Sequence, residues 1–543
     1  MKDDAEGQII RGRIWTGCKD KPWAEAVGIL RGRFVHVGDL AGARDALTDA
    51  AGRSVVRVED WGDNLVMPGM TDSHMHLTAF ARQSLYVNML GINSLDEAAT
   101  MLQARAKEVG PGAWIRAINY NEMAWPDGKR TPPTKEWLDA LSLENPIIMS
   151  RYCGHNHVAN TRAMKEGGLW DSTDPCVLRG EDGVVTGLII EGGAAPLIEA
   201  AARECETPEK LTAAMGEAVR EMASRGVTAA HVCDAATYGL GEEIFTWQDL
   251  YEKGKLPIRI VCFHDRLPNF TYRSGLGNEQ IRYGGLKLFL DGNLGGNTAA
   301  MREPFDDKPD TCGVLNHTDE ELFSLLREAR KRDIQVQMHM IGDRAIEQAL
   351  DAVEKVIAEF GRERLCSEKP AWRFNHVIVC PRDMRERLAR LKDLIALDVQ
   401  PCQAYTDRVM APLRLGPRRA RDAYPLRSLW DAGLLMAGGT DAPMEIENMW
   451  LGIWAAVCRA DDDGALLPYD PTEKLTLEEA LTAWTANPWI ELGLGDEFGR
   501  IKEGCHADFT VVDGDPFKRS TMDLRNTRHL VTYLEGRAVW TKQ

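Results

Sequence analysis

This 543-residue chain has no surplus of basic residues: 65 lysines and arginines stand against 82 aspartates and glutamates, a net charge of −17. Without surplus cations to displace counterions, neither nucleic acid nor an anionic membrane surface is an expected partner. No apolar run of about 18 residues occurs, so no transmembrane helix is expected. The opening MKDDAEGQIIRGRIW is charged and lacks an apolar stretch, so no secretory signal is expected either. The 12 cysteines are scattered and never spaced C-x-x-C. That usage points to reduced, mostly buried thiols and a cytoplasmic location. Internal repeats and low-complexity tracts are also missing.

Apolar residues are plentiful, at 44%, enough to bury a large core. The length suits a large α/β barrel with an accessory domain. Both ends alternate apolar and polar residues. GQIIRGRIWTG and AEAVGILRGRFVHVGDL read as hairpins around their Arg-Gly-Arg steps. RIKEGCHADFTVVDGDPF and LVTYLEGRAVWT read as further small-sheet strands. The middle alternates short apolar strands with amphipathic helices, the pattern of a parallel sheet with crossover helices. Three helices open on capping-box pairs: Ser94 with Glu97, Thr318 with Glu321, and Thr476 with Glu479. The middle strand candidates are NLVMPGMTDSHMH, NPIIMSRYCGH, GVTAAHVCD, IRIVCFH, GLKLFLDG, IQVQMHMIGD, WRFNHVIV, LIALDVQP and GLLMAGGTDA. An eight-stranded barrel cannot use them all, and the pattern does not say which lies outside.

The stretch VMPGMTDSHMHL places His74 and His76 two apart at a strand end. Alternate strand residues share a face, so both imidazoles project together. In a barrel, the C-terminal strand ends form the active-site mouth. Lys287, His339, His376 and Asp441 sit on or just after other strands. Each has an ordinary alternative: a core histidine, an edge lysine, a helix-capping aspartate. Together, in this order, they point to a divalent-metal site.

The order H-x-H, Lys, His, His, Asp resembles the amidohydrolase superfamily. The detail resembles its YtcJ-like amidohydrolase-3 group, which includes N-substituted formamide deformylase. The motifs carrying the likeness run from AEAVGILRGRFVHVG through PGMTDSHMH, CGHNHVANTRAM, GVVTGLIIEG, KLFLDGNLGGNTAAM, MHMIGDRAIEQAL and DAPMEIENMWLGIWAAVCR to EEALTAWTANP and GRIKEGCHADFTVVD. The resemblance implies an α/β fold: a (β/α)8 TIM barrel, residues 67–499 with insertions, beside a small β-sandwich-like domain from residues 1–66 and 500–543. It implies that His74 and His76 bind the buried metal. His339 and His376 would bind a second position, or His339 would join a mononuclear site. Asp441 would touch the metal and its water. Lys287 matches the position of a carboxylated, metal-bridging lysine; burial among Leu286, Leu288 and Phe289 would favour the neutral amine a carbamate needs. The alternative is an ion pair with a carboxylate such as Asp291. Glu191 in LIIEGG matches a group glutamate and would line the site or ligate.

Zinc is the default ion for imidazole and carboxylate ligands, one or two per chain, with iron or manganese as alternatives. Asp441 is the expected general base and then acid. The expected chemistry is hydrolysis of an amide-type C–N bond in a small N-acyl or N-formyl compound, with an aromatic group among the options. The same machinery would serve an esterase or a heterocycle deaminase. A catalytically inactive scaffold is less expected, because every candidate ligand is kept. On the substrate side, His155 in CGHNH would donate to a carbonyl oxygen or stabilise its own loop. Asp343 would cap the next helix. Arg344 would bind a carboxylate or form a surface ion pair. Tyr120, Trp125 and Trp450 would wall an aromatic pocket or belong to the core. The group usually has Glu-His where this chain has Asn375-His376, and often Gln-Pro-x-His where it has QPCQ, Gln400–Gln403. Both departures weigh against a deformylase's own substrate. A small molecule and further copies of the chain are the expected partners.

Overall fold

The computed structural model describes residues 7–48, 56–126, 128–141, 144–152, 156–234, 243–267, 273–366 and 369–542. The chain divides into two compact units: Ala79–Ala218, and Met1–Thr78 together with Val219–Gln543.

In the larger unit eight parallel strands form a nearly closed barrel. They are β1 (Met70–Met75), β2 (Val227–Val232), β3 (Arg259–His264), β4 (Ile281–Phe289), β5 (Gln335–Met340), β6 (Trp372–His376), β7 (Ile395–Val399) and β8 (Leu435–Gly438), paired in chain order. Past the end of β8 the chain meets β1: Asp441 N–H donates to the His74 carbonyl at 2.8 Å, and His76 N–H donates to that of Ala442 at 2.7 Å. Gly439 makes this approach possible. A Cβ there would sit 2.7 Å from His74 N and 2.9 Å from His74 O. Eight of the nine strand candidates are these strands. The ninth, NPIIMSRYCGH, supplies Ile147–Arg151 of the smaller unit.

The smaller unit enters the chain between β1 and β2. Its six-stranded sheet runs Val177–Arg179, Val185–Ile190, Asn156–Ala159, Ile147–Arg151, Ile115–Tyr120, Val87–Asn88 in spatial order. Apolar clusters pack on this sheet, one around Ile148, Met164, Ile189 and Leu197, another around Leu102, Ile115, Leu138 and Met149.

Both chain ends build a seven-stranded sheet in the larger unit. Its order is Arg537–Thr541, His529–Leu534, Phe509–Val512, Val56–Pro68, Gly7–Trp15, Trp23–Leu30, Arg33–Gly38. Ile10, Val27, Phe34, Val66, Phe509 and Val531 form its core. The second Arg-Gly-Arg step is a two-residue hairpin turn, with Arg31 at φ 51° and Gly32 at φ 73° between paired Leu30 and Arg33. The first is not a turn. Arg11–Gly12–Arg13 lies inside one strand, where the register shifts against both neighbours and Gly12 takes φ 146°. Glycine relieves the crowding of a bulge there, which composition alone does not separate from a turn.

The capping boxes at Thr318/Glu321 and Thr476/Glu479 form with both reciprocal bonds. Ser94 caps its helix through Glu97 N–H, but the Glu97 carboxylate accepts from Asn93 N–H instead.

Candidate metal centre

Strand alternation puts Asp72 and His74 on one face of β1, and His76 follows just past its end. Asp72 spends its carboxylate on structure: Oδ1 accepts from His74 N–H (3.1 Å) and Thr440 N–H (3.0 Å), and Oδ2 from the Thr440 hydroxyl (2.5 Å). These bonds fasten the first strand to the segment after the last. Burial pushes the Asp72 carboxyl up to about 7, and the Thr440 bonds hold it from going higher.

Asp441 stands at the centre of the cluster. Its Oδ1 lies 3.4 Å from His74 Nε2 and 3.4 Å from His76 Nε2, and its Oδ2 accepts from Gln403 Nε2 at 3.2 Å. His376 packs edge-on to His74 with ring centres 5.0 Å apart, and His339 packs on His376 at 4.4 Å. Strand parity would turn His376 away from this group, because Arg373 and Asn375 on the same strand already face the interior. The backbone breaks parity at this point: His376 takes φ 71° and Val377 φ 51°, and Asp441 also lies left-handed at φ 61°. Side chains rarely adopt this conformation without surrounding structure that enforces it, and it gathers at functional sites.

Lys287 is fully buried on β4. Its Nζ donates to Asn375 Oδ1 at 2.6 Å and lies 3.4 Å from His74 Nε2. Asp291 is not its partner. The Asp291 oxygens accept backbone N–H groups of Ile341, Gly342 and Ala300, fixing the loop after β4 to the end of β5. Beneath the cluster runs a buried chain of polar contacts. Asn375 Nδ2 donates to Asp398 Oδ2 at 2.7 Å; Arg373 grips both Asp398 oxygens and meets Glu491 at 2.6 Å. With Asn375 Nδ2 committed to Asp398, its Oδ1 must face Lys287.

The electrostatics suit a cation. Burial, with Lys287 nearby, holds the His74 imidazole well below its ordinary pKa. Burial and neighbouring charged or protonatable groups do the same to His339 and His376. These rings are neutral and offer lone pairs. Burial alone would raise the Asp441 carboxyl, but bonds from His74 and His76 and the nearby His376 outweigh it and hold it well below the usual carboxylate range. Burial lowers the Lys287 amine to about 8. His74 Nδ1 and both ring nitrogens of His376 are buried without a hydrogen-bond partner. Ligand atoms of His74, His376 and Asp441 lie within 4.8 Å of one another. Neutral imidazoles with orphaned nitrogens around one anionic carboxylate fit a divalent ion. His339 sits one ring further out, with its Nε2 3.0 Å from the Gly292 carbonyl.

The other sequence candidates fall elsewhere. His155 lies outside the described residues. Glu191 opens the short helix Glu191–Ala194 in the smaller unit. Tyr120 is buried in that unit's core with Ile115, Leu138 and Met149, not on an open wall. Trp125 is 1% exposed. Arg344 pairs with Glu347 at 2.9 Å near the start of the helix Asp343–Phe360. That helix is capped by Gly342, while Asp343 accepts Arg302 N–H at 2.8 Å. Trp450 points away from the cluster: its indole N–H donates to His529 Nε2 of the terminal sheet at 2.9 Å. A buried aromatic on a helix carries no sequence mark of which neighbour it packs on. The contacts sequence reasoning missed are Gln403 on Asp441, Thr440 on Asp72, and the Asn375–Asp398–Arg373–Glu491 chain. In the sequence Gln403 is marked only by standing where the group often carries a histidine.

Residues 57–540 match the amidohydrolase family. The chain is 30% identical to YtcJ of Bacillus subtilis (strain 168) over 550 residues, 98% of each protein. It is 27% identical to N-substituted formamide deformylase of Arthrobacter pascens over 557 residues, 97% of each. Its structure resembles an uncharacterized metal-dependent hydrolase from Pyrococcus horikoshii OT3, with a TM-score of 0.77 at 25% identity, across 95% of this chain and 99% of that one. With a barrel of this topology and a family match across almost all of its length, the chain belongs to the amidohydrolase family.

Proposed function

We propose that this hydrolase cleaves an amide-type C–N bond in a small N-acyl or N-formyl compound, using water. The observation that carries the reading is the convergence of neutral His74 and His376 on an anionic Asp441 at the mouth of the barrel. His74, His76, His339, His376 and Asp441 would hold the divalent cation, zinc first, with iron or manganese as alternatives. When bound, such an ion lowers the pKa of water and polarises a carbonyl.

The chain's own residues supply the rest. Asp441 accepts a proton from the attacking water and returns it to the departing amine nitrogen. Gln403, on Asp441 Oδ2, keeps that carboxylate oriented between transfers. Lys287, with its amine lowered to about 8, is the residue we propose to add CO2 and become a bridging carbamate. The nitrogen gives up one proton to solvent and keeps the other, which goes on donating to Asn375. The orphaned nitrogens of His376 favour metal chemistry over a purely structural cluster.

The test is metal content by elemental mass spectrometry on wild type and Lys287→Ala, alongside hydrolysis of a panel of N-formyl and N-acyl amines. About two ions in the wild type, falling in the variant, and release of free amine support the proposal. One ion in both proteins removes the carbamate. Ammonia released from a heterocycle, with no amide cleaved, replaces the reading with deamination.

A further inference from the structure

Trp450, which the metal centre does not use, lines a cavity of about 470 Å3 in the larger unit. Its walls are Ser224 and Arg225 just before β2, Asn448 and Trp450 after β8, the run Arg525–His529, and Trp540 and Lys542 near the end of the chain. The lining holds four cationic side chains, Arg225, Arg525, Arg528 and Lys542, and no carboxylate. Carboxylates stand behind three of these cations, and Arg528 is the one they leave uncompensated among the described residues.

The charges are held to different degrees. Arg225 is fixed from behind by Glu447 at 2.6 Å and Glu221 at 3.0 Å, and its Nε is buried without a partner. Arg525 pairs with Asp462 and lies over the Trp454 ring at 4.7 Å. Lys542 Nζ is 3.9 Å from Asp513, a loose contact. Arg528 is exposed and makes no ion pair among the described residues. The Thr527 hydroxyl, on a residue 8% exposed, is buried with no hydrogen-bond partner. His529 is filled on both sides, by Trp450 N–H and the Thr510 hydroxyl, so it serves as wall. Asn448 Oδ1 accepts from the Trp450 backbone N–H at 3.0 Å, which leaves the Asn448 amide nitrogen as a donor. Trp540, half-buried, adds a flat face.

We propose that this cavity is a binding site for a small molecule carrying a phosphate or phosphate-ester group. Guanidinium forks, an ammonium, an amide and an orphaned hydroxyl are the donors such an oxyanion takes, and arginine matches its geometry best. The volume exceeds what a bare phosphate fills and lies in the range of small-ligand sites. The site shares no residue with the metal cluster, so it stands whatever that cluster does.

The experiment is calorimetric titration of the metal-loaded protein with inorganic phosphate, pyrophosphate and adenosine 5′-monophosphate in turn. The variants are Arg528→Glu with Lys542→Glu, and Arg364→Glu as an exposed control elsewhere. We expect one saturable site, weakened by salt as an ionic contact should be. Affinity should fall about tenfold or more in the double variant, the scale of losing charge-assisted bonds, and hold in the control. Adenosine monophosphate binding tighter than phosphate would mark a nucleotide as the source; equal affinity would mark the phosphate group alone. No saturable binding of any probe overturns the proposal. So does equal affinity in wild type and double variant, or an equal loss in the control.

Discussion

Among the described residues the larger unit holds two clusters of histidines and carboxylates, and they differ in whether their ring nitrogens are already occupied. His74, His376 and Asp441 sit at the C-terminal strand ends; Glu279, His506 and Glu535 sit where β3 begins and the terminal sheet joins it. By donor spacing the two are alike. They differ in what faces the lone pairs. His376 has two buried nitrogens with no partner. His506 meets Arg33 Nη2 at 2.9 Å through Nε2 and Arg259 Nη2 at 3.4 Å through Nδ1, and its ring stacks flat on Phe498 at 4.4 Å. Guanidinium already stands where a cation would go. A set of histidines and carboxylates is therefore no metal site until its lone pairs are left free.

The largest way to break this comparison is through Asp441. Asp441→Asn keeps the shape and removes the carboxylate that would move protons. Turnover should fall by about 10²–10⁴-fold, the usual contribution of a general base, with the melting temperature nearly kept. Steady-state rates on whichever amide the wild type cleaves decide it; near-wild-type rates would remove Asp441 from the chemistry. Next in size is the ion pair at the other cluster. Arg259 bonds Asp508 through Nε at 2.7 Å and Nη2 at 3.1 Å, both residues buried. Asp508→Ala leaves a buried guanidinium under-paired and should cost about 3–5 kcal/mol in denaturant unfolding. Its metal content should match the wild type, which separates fold from site. Smaller again is the stabilisation that zinc lends. At about a hundredfold excess over its Kd, a bound ion adds about 2.7 kcal/mol. His506→Ala should keep that gain and His376→Ala should lose it. Loss in both variants would make the two clusters equivalent after all.

Much of this was legible because it is local. Strand alternation puts His74 and His76 on one face, apolar runs mark the eight barrel strands together with one strand of the smaller unit, and Gly439 with Asp441 follows the last barrel strand. What escaped is long-range or breaks the local rule. Lys287 meets Asn375 across 88 positions, and Asn375 meets Asp398 across 23. No periodicity encodes such pairs. His376 reaches the cluster only because its backbone leaves strand geometry, and a parity argument alone would point it outward. Trp450 and Tyr120 show the opposite failure: their placement follows from which surface packs on them, and sequence gives no sign of that.

The smallest effect tests what the two clusters share. Burial lowers the pKa of both His376 and His506 and outweighs the nearby carboxylates that would raise it. In the unfolded chain each titrates near its ordinary value of about 6.5. Above that pH neither state binds the proton, and the stability is fully present. Below it the unfolded chain takes up a proton before the folded chain does, so stability falls with pH, by at most about 1.4 kcal/mol per pH unit for each such histidine, until the folded ring itself titrates. In chelator, His506→Asn and His376→Asn should therefore each flatten the acid limb by one histidine's share, read as the change in unfolding free energy between about pH 6.5 and 5. Saturating zinc at the acid end should then restore stability to the wild type and to His506→Asn, and leave His376→Asn where it was. An unflattened limb in His506→Asn would mean its flanking arginines do not keep that ring neutral, and the contrast between the clusters would have to rest on geometry alone.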